Sequence, residues 1–164
     1  MATPIELQAA SLLSIALAGL LGGLIGVDRE ARDKPAGIRT FAFVAMGSAL
    51  FTLGGELAYP DADSSARVVA QIVSGVGFLG AGTILHLRGE AVVGLTTAAS
   101  IWAAAGVGIT CGLGLYVMAV GAAVLLVVAL RLDDVGRLIR RRFGPRADSQ
   151  APRTGATHRP DGQT

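Results

Sequence analysis

The chain has 164 residues, 52% of them hydrophobic and only 16% charged, where a soluble domain carries roughly 25% charged residues. One cysteine, Cys111, and two histidines, His86 and His158, exclude an intrachain disulfide and a cysteine-rich zinc site and argue against a histidine-built metal centre. The net charge of +2 says less than its placement: four uncharged runs, Leu7–Val27, Thr40–Gly55, Val68–Leu87 and Ala91–Leu130, take up 97 residues.

A helix advances about 1.5 Å per residue, so a bilayer core needs about 20 apolar residues per crossing. Leu7–Val27 is one such span. Glu6 precedes it rather than a basic region, so a cleaved signal peptide is not expected. The span carries Gly19, Gly22, Gly23 and Gly26, a one-sided stripe of two overlapping GxxxG pairs suited to close helix packing. The loop Asp28–Thr40 mixes both charge signs and turns at Pro35–Gly37. A second span over about 38–58 starts at Arg39, which can snorkel, and ends near Glu56. The third, 68–87, repeats the glycine theme with Gly75, Gly77, Gly80 and Gly82. Its Gly75-Val76-Gly77-Phe78-Leu79-Gly80 matches the dinucleotide fingerprint in letters only. It lies inside an apolar run, has no preceding strand, and meets its next acidic residue at Glu90. The last run is long enough for two spans, 91–109 and 113–130, broken at Thr110-Cys111-Gly112-Leu113-Gly114. With Gly94, Ala98, Ala105 and Gly106 on span 4, spans 1, 3 and 4 are expected to approach one another closely. Residues 131–143 place Leu132, Val135, Ile139 and Phe143 on one side and arginines elsewhere, which predicts a basic amphipathic segment on anionic lipid. Residues 144–164 predict a disordered tail, without the aromatic interleaving of a nucleic-acid binder.

Thirteen of the fourteen basic residues fall on one side if the C-terminus is cytoplasmic, leaving Arg67 alone on the other. The positive-inside rule then sets the N-terminus outside. The fold class expected is an all-α membrane protein, a bundle of five transmembrane helices.

Polar groups at membrane depth are costly and ask for partners. At the cytoplasmic side Asp28, Arg29, Glu30, Lys34, Arg39 and Thr40 of the first loop meet Thr83 and His86 of span 3 and Thr96, Thr97 and Ser100 of span 4. This layer reads equally as a binding pocket or as a set of bonds that fixes the bundle. A second cluster at the outer face, Glu56, Arg67, Gln71 and Ser74, reads as structural, with Glu56 and Arg67 placed for an ion pair. No serine stands in a nucleophile elbow and no carboxylate lies mid-span, so neither enzyme activity nor a cofactor or metal is expected.

The segments Gly22–Glu30, Lys34–Thr40, Ala70–Gly82 and Gly94–Trp102, taken in order, resemble the MgtC/SapB membrane family over roughly residues 7–130. The resemblance implies a bacterial inner-membrane protein with five spans, linked to magnesium limitation and to survival inside host phagocytes. It further implies action on another membrane complex, with the F-type ATP synthase as proposed partner. Longer members carry a folded cytoplasmic domain after the last span, where this chain reads as a short basic tail. The function expected is a non-catalytic regulator of a membrane partner. The alternative is a small transporter or channel for a cation or organic solute. A homo-oligomer remains open, and the lipid bilayer is the one surrounding that composition itself requires.

Overall fold

The computed structural model of the chain describes residues 4–59, 61–84 and 93–143, with side chains through Leu132. His86 and the tail 144–164 lie outside the described residues, as do the side chains of the amphipathic segment 133–143. The architecture is all-helical: α1 (Ile5–Glu30), α2 (Ile38–Ala58), α3 (Ala62–Gly82), α4 (Leu95–Gly112) and α5 (Tyr116–Phe143). The first four are each long and apolar enough to cross a bilayer, and the apolar part of α5 is Tyr116–Leu132. That stretch rises about 26 Å, near the lower limit for a crossing. The protein is a multi-pass helical membrane protein.

The helix ends follow from local chemistry. α1 closes with the amide of Lys34 donating to the Arg29 carbonyl at 3.1 Å and that of Asp33 to the Glu30 carbonyl at 3.1 Å. This is a Schellman ending, with Asp33 in the left-handed region at φ 52°. α4 ends the same way through Leu115 to Thr110 and Gly114 to Cys111, with Gly114 at φ 72°. Both endings fall where the sequence clusters turn residues. α3 starts at Ala62, ahead of its uncharged run, because the Asp61 carboxylate accepts from the Ser64 amide at 2.8 Å. That bond holds the Asp61 carboxyl below its usual range. Only glycine enters the left-handed region without a steric penalty. Gly114→Ala is therefore expected to lower stability by about 1–2 kcal/mol, while Asp33→Gly is tolerated; thermal unfolding in detergent separates the two.

α2 is the centre of the bundle, with α1 on one side and α4 on another. Its buried residues are Phe41, Ala45, Ser48, Ala49, Thr52 and Gly55, mostly small, so backbones can approach. A Cβ on Gly22 of α1 would stand 2.5 Å from the Phe41 carbonyl oxygen, and one on Gly26 would stand 2.6 Å from the Ile38 Cα. From the other side Gly108 of α4 sits on the Ala45 carbonyl, and Gly112 lies where a Cβ would be 2.7 Å from that of Thr52. These contacts correct one part of the expected packing: α4 does meet both α1 and α3, but among the described residues α1 and α3 do not meet, because α2 stands between them. The stripe on α1 serves α2 through Gly19, Gly22 and Gly26, whereas a Cβ on Gly23 would meet only the Ile38 side chain, at 3.8 Å, among the described residues. On α4, Gly106 faces open space, and Gly94 is not a packing residue of a span. It caps the helix at φ 95° against the Thr83 carbonyl. α3 lies at the rim against α2 and α4, burying Ile72, Val76 and Gly80. Among the described residues, a Cβ on Gly80 would stand 3.5 Å from Ala98, whereas one on Gly75, Gly77 or Gly82 would have nothing within 4 Å.

α5 runs beside α1 in the same direction. Ser14 Oγ and Tyr116 Oη share a hydrogen bond of 2.8 Å near one end, and Arg131 Nε donates to Asp28 Oδ1 at 2.6 Å near the other. The two bonds are about 21 Å apart along α1.

Candidate functional site

The end of the bundle where α1 stops gathers the largest group of buried polar side chains. Successive residues of a helix point 100° apart, so three consecutive polar residues fan out toward three different neighbours. Asp28-Arg29-Glu30 does this. Asp28 turns to α5, where it accepts from Arg131. Arg29 turns to α4, where its Nη2 donates to Thr97 Oγ1 at 3.0 Å. Glu30 turns to α2, where its Oε2 accepts from the first amide of that helix, Ile38, at 2.9 Å. One tripeptide therefore ties α1 to three other helices, at the starts of α2 and α4 and part-way along α5.

Asp28 is 5% exposed and Arg29 2% exposed, so charge is buried here at a cost that only partners offset. Asp28 has a second cation, Arg32, one turn on, with Nε 3.1 Å from Oδ2. That contact is an ion pair whose N–H is not aligned for a hydrogen bond. Arg131 is two-thirds exposed, as befits an arginine at a membrane–water boundary. Thr97 is further held by Ser100, whose hydroxyl donates to the Thr97 carbonyl at 2.9 Å. Arg29, Arg32 and Arg131 against Asp28 and Glu30 leave the cluster net positive by one, and arginine stays protonated.

The other residues of the expected layer divide. Lys34, Arg39 and Thr40 are exposed and, with Glu30, Pro35, Gly37 and Ile38, line a shallow pocket of about 490 Å³. Thr83 is half-buried and donates to its own helix at Gly80. Thr96 is exposed, and His86 lies outside the described residues. Sequence reasoning did not single out Arg32 or Arg131 as site residues. Arg131 is the first charge after forty uncharged residues, and that was the available signal. The Ser14–Tyr116 bond had no signal at all. At the opposite end Glu56 lines a separate pocket of about 640 Å³ with Tyr59, Asp61, Ser65 and Leu113. Arg67 is not among its walls, and the expected Glu56–Arg67 ion pair is absent among the described residues. Gln71 and Ser74 are exposed on α3. No group of three or more His, Cys, Asp or Glu among the described residues could hold a metal ion.

The fold and this end define a polytopic helical membrane protein whose helices are locked by glycine contacts along their length and by a buried ionic fan at one end. Residues 15–136 match the model of the MgtC family, and the chain belongs to that family. It is 48% identical over 118 residues to Protein MgtC of Salmonella typhimurium, covering 72% of this chain and 50% of that protein. It is 42% identical over 135 residues to an uncharacterized protein of Haemophilus influenzae, covering 77% and 57%. It is 39% identical over 128 residues to a protein of Escherichia coli named putative magnesium transporter YhiD, covering 74% and 59%. The chain thus spans between half and three-fifths of the length of these curated relatives. No solved structure matches it.

Proposed function

We propose that the protein is a non-catalytic regulator in the bacterial cytoplasmic membrane, acting on a membrane partner under magnesium limitation, with its N-terminus outside and its basic C-terminal end inside. The orientation rests on the one-sided arginines. The F-type ATP synthase is the partner that the family resemblance implies. The observation carrying this reading is how the interior of the bundle is filled. α1, α2 and α4 meet backbone to backbone at Gly22, Gly26, Gly108 and Gly112. The buried hydroxyls of Ser14, Ser48, Thr52 and Ser100 donate to carbonyls of their own helices. Such an interior supports binding by an outer surface better than passage of a solute through the middle.

The second reading, a transporter, is favoured by the name of the Escherichia coli relative. Mg²⁺ prefers carboxylate and water oxygens, and the one buried carboxylate among the described residues, Asp28, is engaged by two arginines. Two measurements decide. In proteoliposomes with a trapped Mg²⁺ indicator, influx is expected to equal that of empty liposomes. Mild-detergent extraction of native membranes is expected to co-purify a membrane complex with the tagged chain. Saturable Mg²⁺ entry would establish the transporter instead, and recovery of the chain alone would remove the regulator.

A further inference from the structure

The loop from α1 to α2 is fixed at several points. The amide of Lys34 donates to the Arg29 carbonyl at 3.1 Å. Ala36, two residues on, is 3% exposed and belongs to the core. Glu30 Oε2 takes the first amide of α2 at 2.9 Å and lies against Gly37, where a Cβ would stand 2.5 Å from that oxygen. The pocket of about 490 Å³ on this loop is therefore preformed. Its walls carry two cations and a hydroxyl, on Lys34, Arg39 and Thr40. Among the described residues none of these three side chains makes a hydrogen bond or an ion pair. Arg29, Arg32 and Arg131 of the ionic fan, by contrast, are all engaged. Glu30 is the one carboxylate on the wall, so the pocket is net positive by one. Its depth is also defined. Ile38, 39% exposed on the same wall, is the first residue of a helix long and apolar enough to cross a bilayer. Lipid headgroups lie at that level, directly outside the hydrocarbon.

We propose that this pocket binds the phosphodiester of an anionic phospholipid headgroup. The Arg39 guanidinium is a planar fork of donors that fits two phosphate oxygens at once. Lys34 adds a point charge on a flexible stem, and the Thr40 hydroxyl adds a further donor. A phosphodiester carries one negative charge, which balances the one positive charge of the pocket. A zwitterionic headgroup would bring a third cation beside Lys34 and Arg39, so the charge favours an anionic lipid. The depth favours a lipid over a soluble phosphate, because Ile38 offers an apolar surface to the glycerol and the start of the acyl chains. In the orientation proposed above the pocket opens on the cytoplasmic side, where basic pockets beside membrane helices hold such headgroups. The site is independent of whether the chain regulates or transports.

Native mass spectrometry of the full chain in mild detergent, given equal amounts of phosphatidylglycerol and phosphatidylethanolamine, tests it. Wild type is expected to retain phosphatidylglycerol in preference. Arg39→Gln is expected to weaken that retention about ten-fold, the scale of one charge-assisted contact, and Arg39→Lys to restore part of it. Lys34→Gln is expected to weaken it about three-fold. Arg67→Gln, an equal loss of charge at the start of α3 and the opposite end of the bundle, is expected to change nothing. Lys34 and Arg39 are exposed, so these variants are expected to elute as folded protein in size-exclusion chromatography. Thr40→Val, which keeps every charge, is expected to lower retention about three-fold by removing one donor. Equal retention of the two lipids, or the same retention by Arg39→Gln, Lys34→Gln and Arg67→Gln, would overturn the proposal. Displacement of the lipid by millimolar inorganic phosphate would overturn its lipid assignment and give the pocket to a soluble phosphate.

Discussion

Asp28→Ala is expected to lower the stability of the folded bundle by about 3 kcal/mol, the lower end of what removing one partner of a buried ion pair costs. The lower end applies because the two arginines left behind are unequally placed. Arg131 is two-thirds exposed and can turn its charge to water, while Arg32 is only one-fifth exposed. Arg131→Ala and Arg32→Ala should each cost about 1 kcal/mol or less, since either leaves Asp28 with the other cation. The double variant Asp28→Ala/Arg131→Ala should cost less than the sum of its parts, because the second change removes a charge that the first had stranded. Heating the purified variants in mild detergent and following the folded fraction by size-exclusion chromatography gives this ranking. An Asp28→Ala protein as stable as wild type would mean that the pair holds nothing. The structural consequence is specific to α5. That helix is tied to α1 by Ser14 at Tyr116 and by Asp28 at Arg131, so losing Asp28 leaves the Ser14–Tyr116 bond as the remaining polar tie to α5 among the described residues, while α1, α2 and α4 stay packed.

The sequence made the existence of this site legible and hid its wiring. An Asp-Arg-Glu tripeptide directly after a long uncharged run has to lie where a helix leaves hydrocarbon, and charge there needs partners. Which partners depends on what surrounds the helix. Period alone groups Thr96, Thr97 and Ser100 on one side of α4, whereas the structure sets Thr97 against Arg29, buries Ser100 and leaves Thr96 exposed. The same period said nothing of Arg131, which reaches Asp28 only because α5 returns parallel to α1 after three intervening helices. The helix breaks were legible for a different reason. Gly114 supplies a backbone conformation that few residues adopt, and such positions announce themselves in any context. Glycine packing lies between these cases. A stripe on α1 gives an angle around its own axis but does not name the neighbour, and the neighbour is α2 rather than α3.

Adjacent glycines on α1 should therefore answer oppositely to the same change. At Gly22 a methyl group would stand 2.5 Å from the Phe41 carbonyl oxygen and 2.8 Å from the Ala45 Cβ, both fixed to the backbone of α2. Neither can swing aside, so the helices must separate. Gly22→Ala is expected to cost about 1–3 kcal/mol as overpacking, and Gly22→Leu more. At Gly23, one residue on and 100° around, the nearest atom is the Ile38 Cγ2 at 3.8 Å, an ordinary contact. Gly23→Ala meets no obstacle and should stabilise the helix by about 0.5–1 kcal/mol, the usual gain on replacing an interior glycine. Gly108 on α4 repeats the Gly22 case from the other side, against the Ala45 carbonyl and the Ser48 Cβ. Gly22→Ala and Gly108→Ala press on the same turn of α2, so their combined cost should depart from additivity, unlike Gly22→Ala with the distant Gly114→Ala. Thermal unfolding of the four single variants and two pairs measures all of this. Equal effects at Gly22 and Gly23 would mean that α1 does not lie on α2 in the way that sets every other distance in the bundle.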